Sequence, residues 1–279
     1  TTPTLSSAAS DVYKRQQAEG EDVWQEVASE TSEGKNTDQQ GFYYTTLKEY
    51  LERNKERHEN RVYYCTEPAS QATYVELHKN QGLEVLFLDS FIDTHFISFL
   101  EREYQDVKFS RVDSDLDDTL IDKENKSEIV DPATNKTRSE QIKELFEKAL
   151  NKPKINVKAQ ALKSEDAKTT PPAMVLLPEA MRRLRDMTAL LQQEKTEFPE
   201  DHVLLVNTAH PLIQNLASIS QGSIIQGSGE SPSAELAREI CHHVYDLALI
   251  AQKGFDAEGM KDFVERSNEV LTKLTEKAL

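Results

Sequence analysis

Between Ser231 and Leu279 apolar residues return at steps of three and four, the period of a helix with one greasy face. Leu236, Ala237, Ile240, Cys241, Val244, Tyr245, Leu247 and Ala248 mark a first helix; Met260, Phe263, Val264, Val270, Leu271 and Leu274 mark a second. Ser231 before Pro232 supplies a start signal, Gly254 a left-handed stop, and Asp256 a cap for the second helix. Leu249 and Ile250 widen the first stripe beyond what a hairpin can hide. Each large side chain left wet forgoes roughly 1.5 to 3 kcal/mol. The pattern therefore predicts either a four-helix bundle shared by two identical chains or packing of the hairpin on upstream residues of its own chain.

Upstream, the period alternates between helix and strand. Residues 41–112 read as an αβα unit, with helices at Leu47–Arg57, Ala69–Asn80 and Phe91–Glu103. The strands fall at Arg61–Thr66, Leu83–Leu88 and Val107–Val112. Residues 113–136 are densely charged and read as an acidic linker. Residues 137–279 read as a second domain. Helices are expected at Thr137–Leu150, Pro178–Gln193 and Pro211–Ser220, strands at Ile155–Ala161, Ala173–Leu177 and His202–Asn207, and a Gly/Ser-rich loop at Gln221–Ser231. The fold class is α+β. Residues 1–40 lack periodicity and begin without methionine; they read as a truncated, foreign or disordered leader.

Charge narrows the partners. Forty-nine acidic against thirty-three basic residues leave a formal charge of -16, which opposes binding to nucleic acid and to anionic membranes. No apolar run approaches a membrane span. Two cysteines, Cys65 and Cys241, form neither a paired framework nor a metal spacing, which suits the cytoplasm.

Several motifs suggest chemistry. Asp115 and Asp117 match the aspartate signature of dehalogenase-type phosphatases, although Arg111, Val112, Asp113 and Ser114 make a poor buried strand before them. Asp113, Asp115, Asp117 and Glu124 have calcium-loop spacing, with Asp118 where the turn needs glycine. His242 and His243 are adjacent, so a helix points them about a hundred degrees apart and they cannot share one ion. Gly222–Gly229 lacks the Lys-Ser/Thr ending of a phosphate loop. Met181, Leu184, Met187, Leu190 and Leu191 form an apolar helix face of the adaptable kind that can hold varied partners.

Six runs carry a resemblance. Arg61-Val62-Tyr63-Tyr64-Cys65-Thr66, Gly82 to Leu88, Phe91 to Phe96 and Lys108 to Asp113 resemble the end of the middle domain of the ninety-kilodalton heat-shock protein family. Pro172 to Val175 and Leu205 to Ile213 are similar to its C-terminal domain, of the bacterial or organellar type. The resemblance implies an ATP-driven homodimeric chaperone held together by its C-terminal helices. Client contacts are implied at His95, Phe96, Ser98, Met181 and Arg185, and dimer contacts at Leu236, Ile240, Val244, Leu247, Phe263, Val264, Leu271 and Leu274. The family's nucleotide-binding domain has no counterpart in these residues. The expectation is a fragment without ATP, Mg or other cofactor, inactive alone as an ATPase, that binds unfolded clients and itself; a passive dimeric scaffold and a phosphatase are the rivals.

Overall fold

The computed structural model describes residues 12–16, 43–58, 60–88, 93–116, 118–122, 136–164, 167–178, 201–225, 232–255 and 257–276. The chain divides into two compact units, Thr1–Val112 and Asp113–Leu279.

Among the described residues the first unit is a five-stranded sheet, in order β2-β1-β4-β3-β5, with three helices. The strands are β1 (Val12–Gln16), β2 (Tyr43–Thr46), β3 (Arg61–Cys65), β4 (Val85–Phe87) and β5 (Lys108–Arg111); the helices are α1 (Leu47–His58), α2 (Ala72–Asn80) and α3 (Asp93–Glu103). β3 runs parallel to both β4 and β5, as the helix–strand alternation predicts. Its core joins Leu47, Tyr50, Val62, Tyr64, Leu86, Ile97, Leu100 and Phe109. Thr46 starts α1 with a reciprocal cap: its hydroxyl accepts from the Glu49 amide, and its own amide donates to the Glu49 carboxylate at 2.9 Å. Gly82 closes α2 at φ +69°, a left-handed turn that only glycine enters without strain. Glu84 is buried and held by two donors of Arg53, at 3.2 and 3.1 Å.

The leader expectation needs correction at one place. Val12–Gln16 forms a strand that pairs antiparallel with both β2 and β4. Strand pairing is non-local, and these partners lie some 30 and 70 residues away, so five residues with little alternation gave no local sign of it.

The second unit packs a three-stranded sheet, order β6-β8-β7, against helices. Its strands are β6 (Asn156–Gln160), β7 (Ala173–Leu176) and β8 (Val203–Asn207); its helices are α4 (Arg138–Leu150), α5 (Pro211–Ile225), α6 (Pro232–Lys253) and α7 (Ala257–Glu276). One core runs through Ile142, Phe146, Val157, Val175, Leu204, Val206, Ile213 and Leu216 into α6. Thr137 and Glu140 form a full capping box at the start of α4. Asn207 ties the loops at the end of β8. Its carbonyl accepts from the Leu162 and Ala209 amides, and its amide donates to the Thr170 hydroxyl at 3.0 Å and the Pro171 carbonyl.

Two boundaries shift. The first residues assigned to the acidic linker belong to the second unit. Leu116, Leu120 and Ile121 are buried, the Asp113 carbonyl accepts from the Leu177 amide, and its carboxylate accepts from Gln252 at 2.7 Å. Charge density masked those apolar residues. α5 also continues five residues into the expected Gly/Ser loop, through Gly222, whose cost of about 1 kcal/mol in a helix is small enough to be overridden. The expected helix at Pro178–Gln193 lies outside the described residues, apart from Pro178 itself.

Candidate functional site

The terminal hairpin forms as its spacing requires, turning at Gly254 with φ +70°. Its two helices use their apolar residues differently. On α6, Leu236, Ala237, Ile240, Cys241, Val244, Tyr245 and Ala248 are buried in the protomer's own core. Leu236, Ile240 and Val244, expected at a dimer interface, are therefore already covered by their own chain; the stripe they share with Cys241 and Ala248 packs on α4, α5 and β7. Burial lifts the Cys241 thiol to about 12, so it is an inert core residue.

On α7 only Val270 is buried. Phe263 is half-buried, stacked on His243 and tilted against Phe255. The next stripe round the helix, Met260, Val264, Leu271 and Leu274, is exposed, with Leu271 at 59%. Leu247 of α6 is exposed as well. Steps of four, seven and three place the α7 residues along one ridge. Of the eight expected interface positions, then, four face water, three are core, and Phe263 lies at the α6–α7 seam.

Polar contacts pin α7 to α6 around that narrow apolar seam. Arg266 donates to the Asp246 carboxylate, and Lys273 reaches Glu239 and, at 2.9 Å, Glu235. These carboxylates hold the Lys273 ammonium well above its usual range. His202 and Tyr245 stack at 6° with a hydrogen bond of 3.1 Å, and Lys152 lies over the tyrosine ring, fixing α6 at the β8 end.

α3 carries a second exposed apolar feature. Ile97 and Leu100 face the core, while Phe96 is half-buried with its ring stacked on exposed Phe99, centroids 6.1 Å apart. Ser98 is exposed, and its carbonyl accepts from Arg102. Phe99 was missed in the sequence; three residues after Phe96 and between buried Ile97 and Leu100, its outward place was readable from helical spacing. The side chains of His95, Met181 and Arg185 lie outside the described residues.

The phosphatase signature gains no support from geometry. Asp115 is exposed just after a turn, four residues beyond Arg111 at the end of β5, and Asp117 lies outside the described residues. Among the described residues no group of three or more His, Cys, Asp or Glu could hold a metal ion, and no helix is long and apolar enough to cross a membrane.

Comparison with known proteins identifies a family. The family model described as Hsp90 protein matches residues 34–278. The chaperone protein HtpG of Porphyromonas gingivalis is 33% identical over 200 residues, covering 67% of this chain and 28% of that protein. That of Bacteroides fragilis is 32% identical over 189 residues, covering 64% and 27%. That of Bacteroides thetaiotaomicron is 28% identical over 241 residues, covering 77% and 34%. The chain thus spans between about a quarter and a third of the length of the curated relatives it matches. With a family model covering all but its first residues and its last, the chain belongs to the Hsp90 family.

Proposed function

We propose that this chain is the self-associating, client-holding part of a cytoplasmic chaperone, coupled in a longer protein to a cycle of ATP binding and hydrolysis. The observation that carries the reading is the exposed ridge Met260, Val264, Leu271 and Leu274 on a hairpin whose other helix commits its apolar residues, Leu247 apart, mostly to its own core. A ridge of that size on a folded unit calls for a covering surface, and a second copy of the same hairpin supplies one of matching shape. The aromatic pair Phe96 and Phe99 supports a separate role for α3 in holding exposed apolar segments of unfolded proteins.

An aggregation assay tests the reading. Added to a thermally unfolding enzyme, the chain should suppress light scattering, and Phe96→Ser with Phe99→Ser should weaken that suppression while leaving the fold intact by circular dichroism. A chain that forms dimers yet leaves aggregation untouched would point to the passive scaffold instead. ATP should give no isotherm in calorimetry with this chain alone.

A further inference from the structure

α6 and α7 close on each other through a cluster that combines two histidines with an ion pair. Asp246 of α6 is buried and accepts from Arg266 of α7. One turn earlier, His243 lies half-buried with its ring parallel to Phe263 of α7, centroids 5.2 Å apart at 8°. Its Nδ1 is buried and has no hydrogen-bond partner. His242, on the adjoining side, donates to the Ala149 carbonyl at the end of α4 and lies within reach of the charges on Lys152, Arg266 and Asp246. Glu239, a further turn back, is engaged by Lys273. The charged groups facing the histidines are therefore Arg266 from α7, Lys152 from the segment after α4, and Asp246 and Glu239 from α6 itself.

A neutral His243 with its proton on Nε2 suits this place. A protonated one brings a buried N–H that meets no acceptor, and a positive charge beside Arg266. Apart from this cluster, α7 is held by the Lys273 ion pairs and the contact of Phe263 with Phe255, and Val270 is its one buried side chain among the described residues. We propose that this seam is an acid-sensitive clasp: protonation of His243, assisted by His242, releases α7 from α6 and dismantles the apolar ridge that α7 carries. Release concerns the hairpin alone; only its consequence for self-association rests on the dimer reading above.

The direction follows from linkage. Burial first, and Arg266 in the same sense, hold both imidazoles below the ordinary histidine value, outweighing the opposing pull of the Asp246 carboxylate. With α7 undocked, the histidines of α6 are freed of both effects, so the undocked state takes protons first. Docking is complete above about pH 6.5 and is lost as pH falls from there through the depressed values. Asp246 is shifted upward by its burial and works in the opposite sense, beginning from the carboxylate range.

Hydrogen exchange read by mass spectrometry on the full chain tests the clasp. After correction for intrinsic rates, α7 should open roughly threefold or more when pH falls from about 7.5 to about 5.5, while α4 and β8 keep their protection. His243→Phe, which preserves a flat ring against Phe263 and cannot titrate, should remove most of that rise; His243→Gln provides a second non-titrating variant. Equal opening of α7 at both pH values, or an unchanged acid response in both variants, overturns the proposal. So does an NMR titration placing His243 at or above the free-histidine value. Light scattering run in parallel separates the two ideas: α7 that opens with acid in a chain monomeric throughout upholds the clasp and sinks the dimer reading, whereas a dimer whose α7 never opens does the reverse.

Discussion

The two helices of the terminal hairpin carry similar apolar stripes and meet opposite fates. α6 delivers Leu236, Ile240, Cys241 and Val244 to a core it shares with α4, α5 and the sheet. α7 delivers only Val270 and leaves Met260, Val264, Leu271 and Leu274 in water. Helical periodicity states that a face is greasy; it does not state what will cover it. α6 is covered by its own chain because α4, α5 and β7 surround it, while among the described residues α7 rests mainly on α6. On the proposed reading, stability and assembly are divided between neighbouring helices.

This division can be broken by substitution. Leu236→Ala should lower the unfolding free energy of the second unit by roughly 2 to 5 kcal/mol in urea, because it empties a filled core position. A loss comparable to that of an α7 ridge residue would erase the distinction between the helices. Arg266→Met should cost roughly 1 to 3 kcal/mol, less than a fully buried pair because the arginine is 32% exposed while Asp246 stays largely covered. Exchange should show that loss confined to α7. Thr137→Ala, which removes the cap of the helix packed against α6, should cost about 1 kcal/mol and leave assembly alone. Leu271→Ser should change protomer stability by less than about 0.5 kcal/mol and act on self-association only.

Much of this was legible in the residues. The helix–strand order of both units follows from alternating periods, and Gly254 marked its left-handed turn. Burial of Leu116, Leu120 and Ile121 was hidden by the acids around them, since local charge density outweighs three spaced apolar residues in any window. Val12–Gln16 was missed because a strand's partners are distant in sequence. Leu236, Ile240 and Val244, expected at an interface, are filled core positions of their own chain, because the pattern is identical for a residue buried at home and one left exposed. Phe99, by contrast, was available from spacing alone.

The account depends most on the exposed ridge of α7 being covered by a second copy of the chain. Sedimentation equilibrium at micromolar concentration and neutral pH measures this directly for the chain and for Leu271→Glu with Leu274→Glu. The account predicts twice the protomer mass for the first and a folded monomer for the second. The same mass for both would contradict it.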